Sequence, residues 1–399
     1  MIEKYLIPAK VALRSTIDVF RRRPVSALVS TAAAIIVAGF IFLIGAIVVA
    51  WLGIYDVAAT KGHNEAFGWF LHFTMRNSVK SHAPSLPQPP LDDPALIAKG
   101  KTYSELRCAP CHGATDRSAD LVAQHMLPAP PNISTLKREF SPDQLHWIIK
   151  HGIKMSAMPA WPTQKRDDEI WSLVAYLNHI GKNPSETQTP TPKATNDPER
   201  PGIGGAVSAN TCFACHGSDG NGRDGVFPKI AGLSANYIQQ SLKDYRAGTR
   251  PSGFMWPFAA SLSDEEIKDL AAHFAGMERH SHQKGAEPDQ KKIQQGAQIA
   301  EPVRNTRPTL ACQSCHVRDG SKRALDVPDL AGQPARYLST QLKLFRSGTR
   351  GGTPNAKLMA HIAQKLTDAD IENVSAYFAA LPTRSGESGN ASAASNVQP

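Results

Sequence analysis

Hydrophobic patterning divides the chain into one unbroken apolar stretch and three blocks of helical periodicity joined by polar connectors. From Val25 to Tyr55 no charged residue occurs. A bilayer core takes ~20 apolar residues as helix, whereas the apolar region of a cleaved secretory signal runs to only ~7–15, so this stretch predicts a retained transmembrane helix. Farther on, three segments align without gaps: Asp168-Glu169-Ile170 to Leu177, Glu265-Glu266-Ile267 to Phe274, and Ala369-Asp370-Ile371 to Phe378. Their apolar positions, as in Ile371, Val374 and Phe378, recur at helical spacing and predict one buried face each. Tyr176, His273 and Tyr377 stand one position before the final Leu or aromatic residue and are core positions first.

The connectors have a different character. Residues 183–200 are polar and rich in Pro and Thr, and read as an extended flexible linker that leaves the block before it free to move. Residues 280–292 form a shorter charged join, and residues 383–399, rich in Ser, Ala and Gly, read as a disordered tail. The segment 56–94 carries Phe67, Trp69, Phe70 and Phe73 at helical spacing, suited equally to a membrane surface, a partner or internal packing, before a Pro-rich stretch.

Composition narrows the class. At 399 residues, with 41% hydrophobic and 20% charged, the chain is too long for one core and too ordinary for wholesale disorder. Of the +9 net charge, six cations (Lys4, Lys10, Arg14, Arg21, Arg22, Arg23) precede residue 25 against Glu3 and Asp18. The rest of the surplus is too diffuse to argue for nucleic acid. A basic cluster directly before the apolar stretch places residues 1–24 in the cytoplasm and everything after residue 55 across the membrane, which in a bacterium is the periplasm.

The six cysteines are Cys108, Cys111, Cys212, Cys215, Cys312 and Cys315, arranged as CAPCH, CFACH and CQSCH. This is the attachment pattern for c-type haem. Two thiols a helical turn apart can each add to a porphyrin vinyl group while the next histidine reaches the iron, so His112, His216 and His316 are the proximal ligands. A dithiol or a zinc knuckle uses the same residue types. Three copies that consume every cysteine in an exported segment point to three covalent haems and their iron instead.

The second axial ligand of a haem carrier is usually a thioether or another imidazole, and that choice tunes the potential. In each aligned segment one Met lies twelve residues before the shared Ile: Met158, Met255 and Met359. Met155 competes with Met158 in KMSAMPAW, and only the register favours Met158. Met126 lies too near His112 to cross a haem, Met277 aligns with Leu381 as packing, and His151 and His125 are the first substitutes should a Met assignment fail.

The motifs recur after 104 and then 100 residues, which predicts three tandem domains, 95–182, 201–279 and 293–382. Gly100 and Gly204 lie eight residues before the first Cys of their motifs, opening a helix that permits close contact. The third repeat departs, with Gly296 sixteen residues upstream of Cys312 and an insertion around 301–308. After each motif comes a proline, Pro131, Pro228 or Pro328, whose carbonyl can accept from the proximal imidazole and fix its orientation. Domains of this size bury little surface alone, so each haem would also be the centre of its core.

These residues resemble class I cytochromes c. FPKIAGLSANYIQQSLKDYRAGTR with MWPFAASLSDEEIKDLAAHF, and VPDLAGQPARYLSTQLKLFRSGTR with MAHIAQKLTDADIENVSAYFAALP, resemble the two halves of cytochrome c4. The resemblance implies an all-α fold, a pair of haem domains packed about a pseudo-two-fold axis with haem edges close, and haem contacts from Tyr237, Tyr337, Arg250 and Arg350. The first domain, through MLPAPPNIS, LHWIIKHGIKMSAMPAW and DDEIWSLVAYL, resembles the single-haem module of membrane-anchored bacterial cytochromes. His273 stands where the related helices have Tyr, and Val317 follows the third motif where the others have Gly113 and Gly217.

With one His and one Met for each haem, no iron is left open for substrate. The sequence therefore predicts an inner-membrane-anchored trihaem carrier of single electrons that binds neither nucleic acid nor a small-molecule substrate. Its partners would be redox proteins: a periplasmic or membrane dehydrogenase or quinol-oxidising complex on one side, a terminal oxidase or soluble cytochrome on the other. The rival reading is a haem enzyme of peroxidase or nitrogen-oxide reductase type with an open iron in the first domain.

Overall fold

The computed structural model describes residues 24–58, 61–114, 118–133, 139–183, 210–280, 289–301, 311–316 and 327–383. Gly204, Val317, the insertion after Glu301, most of the 183–200 and 280–292 connectors and the tail lie outside the described residues. Among the described residues the regular elements are helices, and the chain divides into two units, Met1–Glu65 and Ala66–Pro399.

The first unit is dominated by α1, Pro24–Trp51. Its window Leu28–Trp51 has a mean hydropathy of 2.9 and none of it is buried, so it is long and apolar enough to cross a membrane and equally to act as a signal sequence. Proline at the first helical position costs nothing there, because that amide has no partner within the helix.

The second unit begins in α2, Glu65–His82. The helix is divided in its allegiance. Val79 is buried and, with Met75, packs into the core of the first repeat, whereas Trp69 and Phe73 stack on each other at 5.3 Å and stay exposed.

The first repeat is built on α3 (Pro94–Tyr103), α4 (Pro142–His151) and α5 (Asp167–Lys182). Asp93 caps α3 by accepting from the Ala95 amide, and a Ser141/Gln144 capping box starts α4. A π-helical turn, Ser104–Cys108, carries α3 into the haem motif. Where α3 crosses α5, a Cβ on Gly100 would lie 2.0 Å from the Ser172 carbonyl oxygen, so only glycine allows the approach.

The second repeat contains α6 (Asn210–His216), α7 (Ala235–Arg246) and α8 (Asp264–Ala275). The third contains α9 (Gln290–Ala300), α10 (Ala335–Arg346), α11 (Pro354–Ala363) and α12 (Asp368–Ala380). α9 starts at Gln290, so the helix extends into the segment read from sequence as a charged join. Gly296 does for α9 and α12 what Gly100 does for α3 and α5: a Cβ there would stand 2.2 Å from the Asn373 carbonyl oxygen. The third repeat thus keeps the close helix crossing, and the extra residues lie between that helix and the motif.

The register read from sequence is the register of the core. Ile170, Ile267 and Ile371 are each fully buried. In the second and third repeats the same ion pair ties the helices, Arg246 to Asp264 at 2.5 Å and Arg346 to Asp368 at 2.5 Å, and each Arg also donates to a loop carbonyl, Leu262 or Leu366. These pairs are exposed to solvent, which screens them, and they mark the internal repeat more than they stabilise it.

In the structure the first repeat is docked on the second: Tyr103 donates to the Gly253 carbonyl at 3.1 Å, Arg166 to the Pro251 carbonyl at 2.9 Å, and Glu169 accepts from Ser252 and Gly253. The polar connector gives no sign of these contacts, because they are made by residues more than eighty positions apart. Asp93 also pairs with Arg336 of the third repeat.

Candidate haem sites

A cavity of about 560 Å3 opens between α6, α7 and α8 of the second repeat and extends to residues of the first and third, such as Lys99 and Tyr337. Cys212, Cys215 and His216 form one wall and Met255 another, with Leu233, Ile238 and Phe274 among its apolar lining. His216 is buried, and its Nδ1 lies 2.9 Å from the Pro228 carbonyl oxygen, which assigns the proton to Nδ1 and leaves Nε2 as a lone-pair donor. Burial lowers the His216 pKa against the opposing effect of that hydrogen bond, which favours the neutral ring that an iron ligand requires. Burial also pushes the Cys108, Cys212 and Cys312 thiols up to about 11 and Cys215 to about 12. A redox dithiol needs a lowered thiol pKa. Among the described residues no cluster of three His, Cys, Asp or Glu side chains suits a metal ion bound directly by the protein.

The same motif geometry recurs. His112 Nδ1 lies 2.8 Å from the Pro131 carbonyl and His316 Nδ1 3.0 Å from the Pro328 carbonyl. Met155 is fully exposed with φ at 57°, whereas Met158 is partly withdrawn from solvent. Met359 sits on α11 against Phe345, Ala356 and Ala363. His125 and His151 are both exposed.

Tyr237, Tyr337, Arg250 and Arg350 meet in one cluster that spans the second and third repeats. Arg250 donates to the Tyr337 hydroxyl at 3.0 Å and Arg350 to the Tyr237 hydroxyl at 3.3 Å, each arginine reaching across to the other repeat's tyrosine. Gln341, which sequence reading did not single out, accepts from both arginines, and Ser241 accepts from Arg250. The exchange of partners has the form of a pseudo-two-fold pair. Burial pushes the Tyr237 phenol up, but the Arg250 and Arg350 charges outweigh it and hold the pKa below the ordinary tyrosine value.

Arg250 tests whether the cavity suits haem. It is buried, it lines the cavity, and its side-chain hydrogen-bond partners are the neutral Ser241, Tyr337 and Gln341 together with the Tyr245 ring 4.5 Å away. A buried guanidinium facing neutral groups is costly unless an anion joins it. A haem propionate supplies that anion, so an apolar slot with two thiols and an imidazole at one wall, a thioether at another and a buried cation fits a covalently held haem.

His273 replaces the tyrosine of the other repeats together with its neighbour. Tyr377 is buried and its hydroxyl accepts from Gln313 inside the CQSCH motif; at the equivalent place in CFACH stands Phe213, whose ring lies 6.3 Å from His273. Glu169, Ser252 and Gln333 also went unread. Gln333 exchanges hydrogen bonds with the Lys229 backbone at 3.0 and 2.6 Å, joining the loops that follow Pro228 and Pro328.

Helical repeats, each with a CxxCH turn, a proline carbonyl on the histidine and a methionine in register, define a c-type cytochrome. Comparison with known families agrees. Residues 95–177 match the family described as cytochrome c oxidase, cbb3-type, subunit III, and residues 203–278 and 293–382 match cytochrome c. The chain is 38% identical over 186 residues to the thiosulfate dehydrogenase electron acceptor of Stutzerimonas stutzeri, covering 44% of this chain and 82% of that protein. It is 35% identical over 178 residues to cytochrome c4 of Pseudomonas aeruginosa, covering 44% of this chain and 87% of the relative. The crystal structure of reduced recombinant cytochrome c4 from Pseudomonas stutzeri covers 43% of this chain and 94% of its own at 32% identity, with a TM-score of 0.39. The chain belongs to the class I c-type cytochrome family and is an electron-transfer cytochrome homologous to cytochrome c4. Its domains imply covalent haem c with iron, and its motifs fit three such groups.

Proposed function

We propose that this chain is a trihaem cytochrome anchored in the bacterial inner membrane, passing single electrons between a dehydrogenase and a terminal oxidase or soluble cytochrome. Cys108 and Cys111, Cys212 and Cys215, and Cys312 and Cys315 would hold the haems through thioether bonds. His112 with Met158, His216 with Met255, and His316 with Met359 would ligate their irons. Bound haem supplies the one-electron couple, while the chain's own residues orient each imidazole through a proline carbonyl, exclude water with the apolar lining and balance propionate charge with Arg250 and Arg350. α1 is the anchor, the basic segment before it is cytoplasmic, and domains 95–182, 201–279 and 293–382 are periplasmic.

The observation that carries this reading is the second-repeat cavity, where attachment thiols, a neutral buried imidazole, a methionine and an unneutralised arginine share one apolar slot. The thiosulfate dehydrogenase electron acceptor among the relatives supports a dehydrogenase as donor. Purification of the full-length chain from native membranes in mild detergent, with co-purifying proteins identified, is expected to recover a redox enzyme with it. A dehydrogenase fixes the chain on the donor side and a haem-copper oxidase on the acceptor side. Recovery in the soluble fraction with α1 removed overturns the anchored reading.

A further inference from the structure

The turn that leads into Met255 is held by a different repeat. Glu169, in the first turn of α5, is 1% exposed, and its two carboxylate oxygens accept from the Ser252 hydroxyl and from the Gly253 amide, each at 2.6 Å. The Ser252 oxygen in turn accepts from the Met255 amide at 3.0 Å. Arg166 holds the carboxylate from behind at 3.0 Å, pairs with Asp168 through two nitrogens, and donates to the Pro251 carbonyl. Tyr103 donates to the Gly253 carbonyl and stacks on Phe254 at 4.4 Å. Trp161, three residues after Met158, leaves no space at Gly253: a Cβ there would stand 2.0 Å from its indole nitrogen. Residues 251–254 are thus each fixed by a side chain of the first repeat.

The third repeat shows what this replaces. There Met359 rides on α11, a ten-residue helix capped by Thr353, and its backbone is set by its own element. Met255 stands instead before a four-residue helical turn, Trp256–Ala259, too short to set the approach of the preceding chain. A carboxylate as deeply buried as Glu169 costs several kcal/mol unless its partners are complete, and here they are complete only when both repeats are together. Lys99, Tyr103, Arg166 and Glu169 also line the cavity that Cys212, His216 and Met255 line.

We propose that the first repeat is a structural part of the second haem site, with Glu169 as the positioning residue that, through Ser252, sets the turn presenting Met255. The proposal rests on the Met/His ligation above. Methionine ligation of the second haem then depends on docking of the first repeat, and the methionine-bearing turns of the two sites abut through Trp161, Gly253 and Phe254.

The test uses the full-length holoprotein with Glu169→Gln, which cannot accept both hydrogen bonds, and Ser252→Ala, which removes only the bridging oxygen. Haem content per chain, the sulfur-to-iron charge-transfer band of the ferric protein and carbon monoxide binding by the reduced protein are read together. Each variant is expected to keep its three haems, lose about one third of the band and bind carbon monoxide at one haem. Asp93→Asn, at a residue that does not line the cavity, removes the charge that pairs with Arg336 and is expected to leave both signals unchanged although it weakens an inter-repeat contact. Should Glu169→Gln fail to assemble, Ser252→Ala decides. Full band intensity without carbon monoxide binding in the assembled variants overturns the proposal, whereas a wild-type protein without the band at three-haem intensity overturns the ligation reading instead.

Discussion

A chain in which Cys212 and Cys215 are both serine is expected to carry two covalent haems in place of three and to lose the fold of its second repeat. The core there is small, with Leu233, Ile238, Leu262, Ile267, Leu270, Ala271 and Phe274, and five of these, Leu233, Ile238, Leu262, Leu270 and Phe274, line the space the haem would fill. A domain of this size holds ~5–15 kcal/mol of stability. Leaving a cavity costs ~24 cal/mol per Å3, so an empty slot of about 560 Å3 offsets a stability of that order unless the walls collapse or water enters. Collapse moves α7 and α8 and releases the 251–254 turn from the first repeat, and water entry removes the apolar contacts that the haem would supply. Mass of the purified chain gives the haem count, and limited proteolysis within residues 210–280 reports the loss of fold. Three haems on the double variant would refute the attachment assignment.

Met359→His is expected to lower one of the three midpoint potentials while leaving the other two in place. A thioether favours ferrous iron relative to an imidazole, and axial ligation spans ~0.8 V across haem proteins, so a fall on the order of 0.1–0.2 V is expected at the third site. The third site is the suitable place for the exchange because α11 holds the residue within a continuous helix against Phe345, Ala356 and Ala363. A potentiometric titration of the variant identical to that of the parent protein would remove Met359 from the ligand set.

What the sequence made legible is what local chemistry fixes. Vinyl attachment demands CxxCH, and the three proline carbonyls stand at 2.8–3.0 Å from the histidines that follow those cysteines. The helix register was legible through Ile170, Ile267 and Ile371, because a fully buried position tolerates little change. The competition between Met155 and Met158 was not, since three residues of separation change the side chain's direction and composition does not record that. Gly296 was legible despite the insertion that follows it, and its contact with Asn373 matches that of Gly100 with Ser172.

The inter-repeat contacts were hidden for a different reason. Glu169 reads as one of three acidic residues opening a helix, where the helix dipole alone accounts for it, and its hydrogen-bond partners Ser252 and Gly253 lie 83 and 84 residues away. The exchange of Arg250 and Arg350 between Tyr337 and Tyr237 has the same character. Each residue belongs to an ordinary pattern within its own repeat, and only the packing of repeats reveals that its partner is elsewhere. A polar connector between two domains therefore says how far they can separate and nothing of how well their surfaces fit.

The measurement that bears most directly on a closed, three-haem carrier is carbon monoxide binding by the fully reduced, full-length protein at native pH, with haem quantified on the same sample. The account predicts three covalent haems per chain and no rapid spectral change, because it assigns each iron both a histidine and a methionine. A fast change at full stoichiometry for one haem would mean an open iron and an enzyme's site in place of a carrier's.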